Sequence, residues 1–194
     1  IDVVAPGEAK TRGLWCDVRA EIEPAYTDWL QTIPLHRDEG RGLAIVYTPL
    51  HGVGGSWALP ALARAGFDNV EVVPEQAAPD GMFPTITSPN PEDSESLARA
   101  LALAERLGAD LVLANDPDAD RLAVAARDSA GEMRVLSGNE IGVLIAEDRL
   151  RFGVRGSRPR LVLTTIVSSP LLARISRAHG ARCEATLTGF KWIA

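Results

Sequence analysis

The sequence predicts an α/β protein of two layered α/β/α domains with mixed sheets, the second truncated at its C-terminus. Short apolar runs have the length and branching of buried strands: Leu43-Ala44-Ile45-Val46-Tyr47, Leu111-Val112-Leu113-Ala114, Leu122-Ala123-Val124-Ala125-Ala126 and Leu161-Val162-Leu163-Thr164-Thr165-Ile166-Val167. Stretches with helical spacing lie between them, opening near Asn, Ser or Pro and closing on glycine. Near residues 131–138 a hairpin turn gives way to a helix-start signal, which divides the chain into expected domains 1–136 and 137–194.

Residues 17–30 predict a helix with Ile22, Tyr26, Trp29 and Leu30 on one side, although Pro24 suits only a first turn. The strand at 43–47 leads into Thr48-Pro49-Leu50-His51-Gly52-Val53-Gly54-Gly55, a glycine-rich turn, and then a helix ending near Gly66. A second strand is expected at 69–74 and a Pro/Thr/Ser loop at 81–90. Asn90 is placed to cap the next helix, with Pro91 at its first position, Leu97, Ala100, Leu101, Ala104 and Leu107 facing inward, and Gly108 as the stop. After a hairpin at 128–131, Ser137-Gly138-Asn139-Glu140 has the form of a capping box opening a helix over 140–150. A strand at 161–167, a helix from Ser169-Pro170 to Gly180, a short strand at 183–187 and a final helix cut at Ala194 complete the reading.

Composition narrows the function. A net charge of −6, with 46% hydrophobic and 24% charged residues, fits an ordinary globular chain and argues against a nucleic-acid binder. The arginine-rich stretch 149–160 reads as a solvated connection. Cys16 and Cys183 are far apart and form no metal-ligand pattern, and no apolar run of about 18 residues suggests a membrane span or leader, so a cytoplasmic setting is expected.

The chemistry concentrates in Asn115-Asp116-Pro117-Asp118-Ala119-Asp120-Arg121. If this segment is extended, alternate residues project to one side, so Asp116, Asp118 and Asp120 converge, and a hard dication relieves their repulsion. Oxygen-only ligands favour magnesium, then manganese or calcium, over zinc. An EF-hand is excluded, because its sixth and twelfth loop positions would be Arg121 and Arg127 instead of Gly and Glu. An aspartyl-phosphate phosphotransferase, with Asp116 as nucleophile and Asp118 as acid/base, stays open, as does a nucleotide-sugar glycosyltransferase with its Asp-x-Asp metal site. Arg121 can pair with phosphate or balance the aspartates. His51, in the glycine turn, has no catalytic partner at a telling spacing and reads as a turn-stabilising or interdomain hydrogen bonder; His36 and His179 read as surface residues. Ser88, in Thr87-Ser88-Pro89-Asn90-Pro91, reads as part of a helix-entry loop.

Five motifs in order resemble the α-D-phosphohexomutases, the phosphoglucomutase and phosphomannomutase family, over nearly the whole chain. They are Thr48 to Gly54 in the glycine turn, Ser88-Pro89-Asn90-Pro91-Glu92, the Asn115 to Arg121 segment, Ser137-Gly138-Asn139-Glu140-Ile141-Gly142, and Thr186-Leu187-Thr188-Gly189-Phe190-Lys191. The resemblance implies the central domains two and three of a four-domain enzyme. It implies that Mg2+ is held by Asp116, Asp118 and Asp120, that Arg121 lies near the phosphoryl group, and that Thr188, Gly189 and Lys191 contact a hexose or pentose phosphate, with Lys191 and Arg121 catalytic. It also implies a phosphoserine on domain one and a phosphate-grasping domain four, so the present residues alone are expected to be inactive. No Thr-Ala-Ser-His-Asn-Pro segment is present. A free-standing metal or phosphosugar-binding module is the alternative.

Overall fold

The computed structural model describes residues 3–36, 39–154 and 156–193; Arg155 of the arginine-rich stretch and Ala194 at the end of the expected last helix lie outside them. The chain forms two compact units, one up to Pro34 and the other from Leu35.

The first unit holds helices α1 (Pro6–Thr11) and α2 (Arg19–Leu30). Pro24 lies inside α2, where it cannot donate to the Ala20 carbonyl one turn back. The expected apolar face of this helix is not a core: Ile22, Tyr26 and Trp29 are exposed, and none of the described residues of α1 or α2 is buried. Two helices of 6 and 12 residues present too little surface to enclose it.

In the second unit, β1 (Ile45–Thr48), β2 (Val70–Val72), β3 (Leu111–Asn115), β4 (Leu122–Arg127) and β5 (Met133–Leu136) form a mixed sheet in the order β2-β1-β3-β4-β5. β1 runs parallel to β2 and β3, whereas β3-β4 and β4-β5 are antiparallel. All four residues of β1 are buried, as expected of a strand covered on both faces. The strand starts later than its apolar run because the Leu43 N–H closes a turn on the Gly40 carbonyl and the Ala44 N–H donates to the Asp110 carboxylate.

Helix α3 (Gly55–Arg64) follows β1, and α4 (Ser94–Leu107) packs on the sheet through Leu97, Ala100, Leu103 and Ala104, against Val46, Val112, Ala114, Ala123 and Ala125. Two expectations for α4 are corrected. Its N-cap is Asp93, because Asn90 closes a preceding turn, accepting the Asp93 N–H on its carbonyl and the Glu92 N–H on its side chain. Leu107 is exposed, since burial stops one turn before the helix ends at the left-handed Gly108.

Helix α5 (Gly138–Phe152) opens on the expected capping box, Ser137 with Glu140. It packs against α6 (Leu171–Ala178), which connects the parallel strands β6 (Leu161–Thr165) and β7 (Arg182–Thr186); α7 (Phe190–Ile193) follows. Ile166 and Val167, expected in the strand, are exposed beyond it. Arg160 is no solvated connector: its guanidinium donates to the carbonyls of Leu150 and His179, tying the ends of α5 and α6 together. His36 and His179 are half-buried, each paired with a carboxylate of α5, Asp148 at 2.7 Å and Glu147 at 2.9 Å.

The loops after β1 and β3 meet at the carboxyl ends of these parallel strands. The Val53 N–H donates to the Pro117 carbonyl at 2.9 Å, and a Cβ on Gly52 would collide with the Cα and carbonyl oxygen of Pro117.

Two stability outcomes follow from these contacts. Gly52→Ala should cost about 1–3 kcal/mol, because backbone faces the new methyl and cannot rotate away; a melting temperature equal to wild type would contradict the contact. The Ser137 backbone N–H, then the Arg134 guanidinium and the Ser137 hydroxyl, hold the Glu140 carboxyl down at about 2 from an ordinary 4.5. A depressed folded-state pKa stabilises above the unfolded value and is lost as pH falls. Glu140→Gln should therefore flatten the pH dependence of unfolding between about 4.5 and 2, as read by denaturant melts across that range.

Candidate metal centre and phosphate loop

Asp116, Asp118 and Asp120 each offer a carboxylate oxygen within 4.8 Å of the others. They do not converge by extended alternation. The Ala119 N–H closes a turn on the Asp116 carbonyl, and Ala119 adopts a left-handed φ of 62°, folding the segment back so that the three carboxylates share one side. Asn115 closes the base of this loop: its side chain donates to the Arg121 carbonyl at 2.8 Å and accepts the Tyr47 hydroxyl at 3.1 Å. Burial pushes the Tyr47 phenol up to about 12, so it remains a donor.

The three carboxylates are not equivalent. Asp116 is 2% exposed, with one oxygen accepting the Arg121 backbone N–H at 3.0 Å and the other accepting Arg121 Nε at 2.7 Å. Burial alone would raise its pKa, but the Arg121 backbone and side-chain bonds, with a further bond to Asp120, outweigh it and hold the carboxyl below its usual range. Asp118 and Asp120 are exposed. The hydrogen bond to Asp116, then the charge of Asp118, raises the Asp120 carboxyl above its usual range. A dication at this point would relieve the repulsion, so the donor set fits a hard, oxygen-ligated metal.

Arg121 is itself fixed. Its Nη1 donates to Asn90 Oδ1 at 3.1 Å while Nε holds Asp116, yet its side chain stays 52% exposed. Sequence reading placed Asn115 in the segment and Asn90 in the Asn-Pro turn without a role at the site, and Tyr47 escaped it.

Thr188, Gly189 and Lys191 lie after β7, again at the carboxyl end of a parallel strand. Gly189 has φ 113°, a conformation that a side chain would strain, and its carbonyl accepts the Trp192 N–H. Thr188 and Lys191 are exposed, with Lys191 Nζ 5.4 Å from the Trp192 ring centroid. Among the described residues no hydrogen bond or ion pair joins this loop to residues 116–121. Ser88 serves the fold, its carbonyl accepting the Ser96 hydroxyl at 2.7 Å.

Residues 24–131 match the model of phosphoglucomutase/phosphomannomutase alpha/beta/alpha domain II, and residues 137–194 match that of domain III. A probable phosphomannomutase of Haemophilus influenzae is 40% identical over 173 residues, covering 89% of this chain and 35% of that protein. The human phosphopentomutase is 40% identical over 188 residues, covering 90% and 30%. The crystal structure of a phosphoglucomutase/phosphomannomutase family protein from Burkholderia thailandensis shares the fold with a TM-score of 0.70 at 23% identity, over 89% of this chain and 34% of the other. The chain thus spans about a third of the length of these relatives. Matches to two successive domain models over residues 24–131 and 137–194 place it in the phosphoglucomutase/phosphomannomutase family.

Proposed function

We propose that this chain forms the central part of a magnesium-dependent phosphosugar mutase, with domain two over residues 1–136 and domain three over 137–194. The reaction moves a phosphoryl group between C1 and C6 of a hexose, or C1 and C5 of a pentose, through a bisphosphate intermediate. The single observation that carries the reading is the convergence of three aspartate oxygens within 4.8 Å, in a chain of this family. Relatives named as phosphomannomutase and phosphopentomutase support a hexose or pentose phosphate as substrate. A complete cycle then requires domain one, with its phosphoserine, and domain four.

Asp116, Asp118 and Asp120 would hold Mg2+, which when bound supplies positive charge against phosphoryl oxygens. Arg121 fixes Asp116 and turns the remainder of its guanidinium to solvent, where it can meet a phosphoryl group. Gly189 lets the backbone approach the sugar closely, Thr188 offers a hydroxyl, and Lys191 offers a cation or a transferable proton. No helix among the described residues is long and apolar enough to cross a membrane, and the net charge of −6 disfavours nucleic acid. These features and the metabolic class of the relatives support a cytoplasmic setting.

Titrating the chain with Mn2+ tests the metal assignment. Wild type should bind, and Asp118→Ala should bind at least about tenfold more weakly, because one of the charged ligands is gone while the buried Asp116–Arg121 pair remains. Equal affinities for the two proteins would remove Asp118 from the ligand set.

A further inference from the structure

We propose that His51 is a positioning residue for the aspartate loop, acting through a closed hydrogen-bonded chain of Thr48, Gln76 and Thr85. The inference rests on reading residues 116–120 as a metal site.

Two successive non-glycine residues in the turn after β1 are left-handed, Leu50 at φ 47° and His51 at φ 61°. Leucine disfavours this region, so the surrounding contacts must impose it. They form a ring. The Leu50 N–H donates to Thr48 Oγ1 at 3.1 Å, and Thr48 Oγ1 donates to Gln76 Oε1 at 2.7 Å. Gln76 Nε2 donates to Thr85 Oγ1 at 3.1 Å, and Thr85 Oγ1 lies 2.8 Å from His51 Nε2. The backbone repeats the hold: the His51 N–H donates to the Gln76 carbonyl, and the His51 carbonyl accepts the Asp80 N–H. The His51 ring also stands edge-on to Phe83, 6.5 Å between centroids. Thr48 and Gln76 are 0% exposed and His51 4%, while Thr85 is half-buried, so water has little access to most of the ring.

The left-handed pair aims the next two residues at the aspartate loop. Gly52 lies against the Pro117 backbone, and the Val53 N–H donates to the Pro117 carbonyl. Pro117 sits between Asp116 and Asp118, so moving it displaces two of the three carboxylates together. His51 touches none of them; it sets where residues 52 and 53 stand. Partners behind metal ligands commonly change affinity 10- to 100-fold when removed.

Thr85→Val removes the hydroxyl that joins Gln76 to His51 with little change of volume, and Thr85→Ser keeps it. In Mn2+ titrations Thr85→Val should bind about 10- to 100-fold more weakly than wild type, with Thr85→Ser restored toward it. In the metal-free chain, amide exchange should lose protection at Val53 and Ala119 while Val46 and Val112 stay protected. A Thr85→Val protein with wild-type affinity and a protected Val53 overturns the proposal. If wild type binds no Mn2+, the metal reading fails separately, and exchange at Val53 and Ala119 still decides the positioning role: loss in Thr85→Val supports it, and unchanged protection overturns it. Should Thr85→Val also expose Val46 and Val112, His51→Asn decides by the same exchange criterion.

Discussion

The arrangement at the carboxyl ends of β1 and β3 depends on one contact, the seating of Gly52 and Val53 against the backbone of Pro117. Parallel strands deliver their following loops to the same edge of a sheet, which is where open α/β folds place ligands. Parallel pairing alone leaves those loops independent of each other. Here the absence of a side chain at residue 52 lets two backbones touch, and a hydrogen bond from residue 53 fixes their separation. The glycine turn thereby becomes a floor for the aspartates.

Above that floor, the electrostatics are divided unequally. Arg121 spends a backbone donor and one guanidinium nitrogen on Asp116, which makes a nearly inaccessible carboxylate tolerable. Asn90 steadies the same guanidinium from the turn before α4. Asp118 and Asp120 stay at the surface, where Arg121 offsets Asp120 from 3.8 Å and a bound cation would relieve the remaining repulsion. One arginine therefore organises the site and still reaches the solvent in which a phosphorylated ligand would arrive.

The region around α5 is bound by polar clamps at several points. Asn139 accepts the Ser169 N–H, Arg160 draws together the carbonyls ending α5 and α6, and His36 reaches Asp148 from the stretch before β1. The two-stranded sheet leaves Leu161 and Leu163 exposed, and Phe190 is 89% exposed. Apolar burial in this region is modest, so directed hydrogen bonds carry more of its local order than in the five-stranded sheet.

Strand runs, glycine stops, the Ser137 to Glu140 capping box and the aspartate cluster were all legible in the sequence, because each rests on residues close together in the chain and on local backbone preference. The aspartates were found for the wrong local reason, since a turn and not an extended segment gathers them. Asn90 reaching Arg121, Tyr47 reaching Asn115, Gln76 and Thr85 closing on His51, and Gly52 touching Pro117 were invisible there, because partners so distant in sequence leave no periodic or local trace. The sequence by itself determined which groups could hold a cation and which strands would carry them. Only the tertiary structure decided that Asp116 is buried and clamped, that Asp118 and Asp120 face solvent, and that a histidine ring supports the loop beneath them, because burial and hydrogen-bond closure are properties of the packed strands and not of any segment alone.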